Sequence, residues 1–205
     1  MSVASAIAAG LEEKSESIEA ARAEFNYASI HTHIPANAEV LDVGAWRCQL
    51  GRLLHDRKGC RVLNLDVVDA NRTELPLRIF DGATLPVESG SQDVVLLLYV
   101  LHHARDDAPL LREARRVLRE GGRVLVAEDS VNGLWDRMVT LGFHVWLRLI
   151  TGMTRDGTFR TTPQWQQRFR EFGFNIKETI SLGQHLGRSG WPNNILFVLE
   201  RQDAN

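Results

Sequence analysis

Three carboxylates stand where short apolar runs end. They are Asp42 in Val40-Leu-Asp-Val-Gly44, Asp66 at the close of a run beginning at Arg61, and Asp81 just before Gly82. An aspartate directly after a strand can accept two hydrogen bonds from a vicinal diol, and another can accept from an exocyclic amine. One acid in a turn says little, because Asp is common there. Three at successive strand ends, two with a glycine close behind, outline a crevice for a polar small molecule. A second group is Leu101-His-His103. A neutral imidazole near pH 7 can take a proton from a hydroxyl, which makes His103 a candidate general base. The bland alternative is that both histidines shape the turn that holds them. Cys48 has no companion base in the sequence and reads as a small apolar residue.

The elements that position these groups follow from apolar patterning. A helix is expected over the first 31 residues, with Ile7, Leu11, Ile18 and Phe25 as its stripe, closed by Pro35. Strands are expected at 39–43, 61–65, 77–80 and 93–99, and a fifth at 123–127. The fourth is continuously apolar after Asp93, as in a strand covered on both faces. Leu50, Leu53 and Leu54 mark a helix after the first strand. Another should start at Asp107 and stop at Gly121-Gly122. Alternating strands and helices imply a parallel sheet with right-handed crossovers. The last quarter departs from that rhythm. Thr162 reads as an N-cap with Pro163 in the first turn, and two strands at 175–182 and 195–200 follow without a helix between them. That spacing suits an antiparallel pair.

In linked order, Val40-Leu-Asp-Val-Gly44, Asp66, Asp81-Gly82-Ala-Thr-Leu-Pro86, Gln92-Asp-Val-Val, Leu101-His-His103 and Leu118-Arg-Glu-Gly-Gly122 resemble the class I S-adenosylmethionine-dependent methyltransferases. The group that includes the ubiquinone and menaquinone enzymes is the nearest. The resemblance spans residues 38–130. It implies a Rossmann-like α/β fold: a seven-stranded, mostly parallel sheet with an antiparallel C-terminal hairpin, helices on both faces and a helix in front. It also implies S-adenosyl-L-methionine as cofactor. Asp42 and Gly44, with Ala45 and Trp46, would face the methionine part. Asp66 with Val67 would meet the ribose, and Asp81 with Gly82 the adenine.

One departure matters chemically. The family has glycine at alternate positions after Gly44, and this chain has Trp46 and Cys48 there. Glycine permits positive φ and close ligand approach, so these two residues must either bear that strain or redirect the loop.

Composition narrows the class. The chain has 205 residues, 44% apolar and 24% charged, with net charge −2. These values suit a folded α/β domain and give no electrostatic case for nucleic acid. The arginines at 112, 115, 116, 119 and 123 read as a solvated helix face. Two cysteines make no disulfide framework and no metal cluster, no stretch suits stable membrane insertion, and a reducing cytoplasm is the default address. The domain plan is a helical extension over 1–37, then a methyltransferase-like domain over 38–205. Residues 134–160 are a candidate lid insertion within it. The apolar stretch 134–153 fits a lid over an apolar acceptor or a core helix equally well. His144, His185, Arg188 and Trp191 are in regions that could face an acceptor.

The function expected is methyl transfer to a small, apolar acceptor. The alternative is a catalytically inactive, methyltransferase-like partner subunit. A nicotinamide-dependent oxidoreductase is disfavoured because Gly44-Ala-Trp-Arg-Cys-Gln lacks the GxGxxG turn.

Overall fold

Seven strands form a single sheet in the order β3-β2-β1-β4-β5-β7-β6. The computed structural model describes residues 3–151, 158–184 and 192–202. The parallel strands are β1 (Glu39–Val43), β2 (Arg61–Asp66), β3 (Leu77–Ile79), β4 (Gln92–Leu98) and β5 (Leu118–Ser130). The last two, β6 (Phe174–Gln184) and β7 (Asn193–Arg201), run antiparallel as the sequence leads one to expect. The helices are α1 (Val3–Ile30), α2 (Gln49–Lys58), α3 (Ala108–Val117), α4 (Leu134–Thr151) and α5 (Thr162–Glu171).

The period of two along each strand divides the core into two layers. Leu41, Val95, Leu97, Val124, Val126 and Phe197 meet α3 and α5 through Leu111, Ala114, Trp165 and Phe169. Val40, Val94, Leu96, Leu125 and Val198 face the other way, against Ile30, Leu50 and Leu54 of α1 and α2. Strands β1 and β4 are parallel neighbours, and the order in which strands are added reverses between them, with helices on both faces. Such a switch opens a crevice at the carboxyl ends of those strands.

Several boundaries differ from the sequence expectation, each for a local reason. Helix α1 buries Ala23, Asn26 and Ile30, while Ile18 is exposed, so the inward stripe is not the one the large apolar residues marked. The side chains of Ile7 and Leu11 lie outside the described residues. Asp107 stands before α3 but does not cap it. Its carboxylate pairs with Arg168 and Arg160, and Asp106 accepts the Ala108 N–H instead. Helix α3 stops at Val117, and Gly121-Gly122 falls inside the irregular start of β5. The N-cap of α5 is Thr161, one residue earlier than expected, in a reciprocal capping box with Gln164.

The arginine group on and after α3 is engaged by the fold. Arg115 donates to the Gly173 carbonyl, Arg116 pairs with Glu113, Arg119 with Asp93 and Arg123 with Glu200. Arg112 lies over the Phe172 ring.

Candidate functional site

At the carboxyl edge, β1 ends and the chain turns through Gly44 to α2. Gly44 and Ala45 both donate their N–H to the Leu65 carbonyl, at 2.8 and 3.0 Å. Gly44 has φ +78°, and a Cβ there would come within 2.4 Å of Val100 Cγ2. Only glycine fits, on conformation and on space alike. The two non-glycine residues that follow do not redirect the loop. Trp46 (φ 49°) and Cys48 (φ 60°) both take the left-handed conformation that glycine would take. Each costs about 1–2 kcal/mol, a sizeable part of a domain's roughly 5–15 kcal/mol.

What holds this strained loop is Asp66. Its Oδ2 accepts the Trp46 N–H at 2.7 Å, and its Oδ1 accepts those of Val67 at 2.7 Å and Val68 at 3.2 Å. Hydrogen bonds to a charged acceptor contribute about 1.5–3 kcal/mol each, enough to offset the left-handed strain. The Trp46 indole does not fold into the core, and the residue is 45% exposed. Cys48 is fully buried as the residue preceding α2. Burial, then the charges of Asp42 and Asp66, push its thiol up to about 12, so it is no nucleophile near neutral pH.

Asp42 is buried beneath the loop. Desolvation, with repulsion from Asp66 second, pushes its carboxyl up to about 7. Asp81 is at the exposed rim. Its Oδ1 accepts the N–H groups of Thr84 and Ala83, which hold its pKa below the usual range. Gly82 (φ +80°) lies under Val67, whose Cγ1 would be 3.3 Å from a Cβ there. The Phe80 N–H donates to the Asp66 carbonyl, closing β3 against β2. Val67 and Val68 stay substantially exposed at the same edge.

The structure thus gathers Asp42, Gly44, Ala45, Trp46, Asp66, Val67, Asp81 and Gly82 at the ends of three adjacent strands. A ligand combining a diol, an amine-bearing ring and a cationic chain fits this set. Asp66 has about one lone-pair direction left for a hydroxyl, the Asp81 carboxylate at the exposed rim can accept from an amine, and the valines offer an apolar wall.

Val100, packed on Gly44, leads into a 3-10 turn of Leu101, His102 and His103. Here the histidines separate in role. His102 is buried with Nδ1 bonded to Oε2 of Glu128, whose Oε1 accepts the Leu101 N–H at 2.8 Å. Burial opposes protonation of His102, but the Glu128 carboxylate outweighs it and raises its pKa. His103 stays partly exposed, its ring 4.0 Å from that of His102. Sequence reasoning passed over Glu128 and Asp129, although both continue the pattern of acids at strand ends. Asp129 accepts from Asn194 at 2.7 Å, and burial pushes it up to about 6. The side chain of His144, and residues His185, Arg188 and Trp191, lie outside the described residues.

Helix α4 is the piece expected to be lid or core. Leu134, Trp135, Met138, Leu141 and Val145 are all exposed, and the side chains of Phe143, Trp146, Leu147, Leu149 and Ile150 lie outside the described residues. No described helix is long and apolar enough to cross a membrane, and no group of three or more potential metal ligands exists among the described residues.

Comparison with known proteins places this geometry. Residues 41–126 match the methyltransferase domain family model. A demethylmenaquinone methyltransferase of Corynebacterium efficiens is 43% identical over 56 residues, 27% of this chain and 24% of that protein. The chain spans a quarter or less of the first curated relatives it matches. Among solved structures, a SAM-dependent methyltransferase of Thermotoga maritima, a possible histamine N-methyltransferase, superposes with TM-score 0.68 at 15% identity. That superposition covers 93% of this chain and 96% of the other. A candidate methyltransferase of Haloferax volcanii, solved in complex with the Trm112 methyltransferase activator, gives 0.66 at 20% identity, with coverages of 83% and 85%. The fold is that of the solved S-adenosylmethionine-dependent methyltransferases, and the central part of the chain matches the methyltransferase domain model.

Proposed function

We propose that this methyltransferase-fold chain binds S-adenosylmethionine at the Asp42–Asp66–Asp81 edge and transfers its methyl group to a small, apolar acceptor. The observation that carries the reading is the loop after β1. It keeps left-handed backbone at positions 44, 46 and 48 although two of the three residues are not glycine. Strain retained at a strand end, and held there by a buried carboxylate, is the mark of a conformation under functional demand.

When bound, the cofactor supplies an electrophilic methyl on a sulfonium. The chain's own groups bind and orient. Asp66 meets the ribose hydroxyls beside the Val67 main chain, Asp81 and Gly82 meet the adenine edge, and Asp42 sets a negative field beneath the cationic methionine part. Gly44, Ala45 and Trp46 present backbone along it. Direct displacement needs alignment and exclusion of water more than covalent help. His103, buttressed by the His102–Glu128 pair, takes the proton where the acceptor is one that must lose it.

A non-catalytic partner subunit is the second reading. The Asp66 carboxylate already accepts three backbone N–H groups, which leaves it little capacity for a ligand. Calorimetric titration with S-adenosylmethionine, S-adenosylhomocysteine and NAD separates the two. Binding of the first two, without NAD, is expected; no binding of either would leave only the partner reading.

A further inference from the structure

Helix α4 turns a large apolar face outward. Among its described side chains, Thr140 is buried, Val139 is half-buried, and Asp136 accepts from Nδ2 of Asn193 on β7 at 2.8 Å. Five described apolar side chains are exposed. Leu134 is 78% exposed, Trp135 71%, Met138 60%, Leu141 56% and Val145 52%. At about 100° per residue, Leu134, Met138, Leu141 and Val145 fall within roughly 60° of one another, with Trp135 on one flank and Arg137 on the other.

The sequence of the helix repeats. Leu134-Trp-Asp-Arg-Met-Val139 returns eleven residues later as Val145-Trp-Leu-Arg-Leu-Ile150. Eleven residues make about three helical turns, so the second copy starts at nearly the same angular position as the first. A two-stranded packing seam instead repeats every seven residues and follows its partner by supercoiling. A stripe at an eleven-residue period drifts by only about 20° per repeat, so the second copy stays close to the side of the helix that the first occupies.

We propose that α4 lies in the surface of a lipid bilayer containing anionic lipids. The Leu134–Met138–Leu141–Val145 arc enters the acyl boundary, Trp135 sits at headgroup level, and Arg137 meets phosphate groups. Charge complementarity chooses this occupant. Arg137 is exposed beside the arc, Arg148 recurs at the same place in the repeat, and Asp136 is turned inward onto Asn193. The attraction is local, since the whole chain carries net charge −2.

This inference does not depend on methyl transfer, and its test needs no turnover. The full chain is floated with vesicles of phosphatidylcholine plus phosphatidylserine, and with vesicles of phosphatidylcholine alone. Wild type should bind the anionic vesicles, more weakly in high salt. Met138→Glu with Leu141→Glu should weaken binding by roughly tenfold or more. Arg137→Glu should lose the preference for phosphatidylserine. Ile18→Glu, at an exposed apolar site on α1, should bind like wild type. Unchanged far-UV circular dichroism and melting confirm that the variants are folded. The proposal is overturned if wild type fails to float, or if the double glutamate variant floats equally well. It is also overturned if sedimentation shows a dimer that this variant dissolves while vesicles capture neither protein. Cofactor titration on the same samples keeps failure of the methyltransferase reading separate.

Discussion

The main-chain N–H of Trp46 donates to Oδ2 of Asp66 at 2.7 Å, so the acid at the end of β2 holds the loop at the end of β1. That makes Asp66 both a ligand group and a support for the strained backbone. Asp66→Asn keeps the shape but turns one acceptor into a donor, aimed at backbone N–H groups. Affinity for S-adenosylmethionine should fall roughly tenfold to a hundredfold, the equivalent of about 1.5–3 kcal/mol. Parallel titration of wild type and variant measures it. Equal affinity in a folded variant would remove Asp66 from the site.

Asp42 predicts a pH dependence of unusual sign. Its carboxyl titrates at about 7 because burial and Asp66 disfavour its charge. A cationic ligand favours the carboxylate, so cofactor affinity should rise between about pH 6 and 8 with release of a proton. For stability the folded state holds the extra proton, so stability should fall as pH climbs from about 4, the unfolded carboxyl's value, to about 7. Asp129, at about 6, acts in the same direction. Asp42→Asn should flatten both slopes. Denaturant melts and calorimetry in two buffers of different ionisation enthalpy read them, and unchanged slopes would contradict the assignment.

The buried His102–Glu128 pair is a stability element, separate from the candidate base beside it. Removing one member of such a pair costs about 3–5 kcal/mol. Because His102 has a raised pKa, the pair's contribution is present below about pH 6.5 and lost as pH rises through the folded value. Glu128→Gln should therefore destabilise most under mildly acidic conditions and progressively less above. His103→Ala should leave the melting temperature nearly unchanged. A gap between wild type and Glu128→Gln that widens with pH would contradict this arrangement.

How far the sequence went depends on the kind of signal. The sheet was legible because strands covered on both faces, such as Val94–Leu98, read as unbroken apolar runs, and because successive strand ends carry Asp42, Asp66 and Asp81. Caps were less legible. Asp106 and Asp107 are adjacent and chemically identical, and only the positions of Arg160 and Arg168 decide which one binds the helix. Helix α4 was legible as an apolar stretch but not in its orientation, since composition does not show what lies against each face. Glu128 went unread because its partner, His102, is 26 residues away.

Gly44 sets a steric limit on the site. Alanine there meets φ +78° and a contact of 2.4 Å with Val100 Cγ2, so Gly44→Ala should cost about 2–4 kcal/mol. Val100→Ala in the same chain should relieve the clash but not the backbone strain. A double-mutant cycle in urea should show a favourable coupling of roughly 1 kcal/mol or more. Strict additivity would mean that the loop moves away from Val100.

The last prediction concerns Trp46 and Cys48, where the enzyme and the partner subunit diverge. Glycine at both positions would relieve about 1–2 kcal/mol of left-handed strain apiece. Against this stands roughly 0.5–1 kcal/mol per glycine of added unfolded-state freedom, with the loss of the buried Cys48 side chain. Trp46 is 45% exposed and gives up little burial, so the double variant should match wild-type stability to within about 1 kcal/mol. Its cofactor affinity should also change little. The backbone is already in the conformation that glycine would adopt, and the carboxylates that meet the ligand are untouched. If instead the indole fills the methionine volume, the parent binds nothing and the variant acquires affinity. Side-by-side titration with S-adenosylmethionine reads the sign. A silent parent beside a variant that binds at micromolar levels would overturn the enzyme reading, because the loop would then have kept its path while losing its ligand.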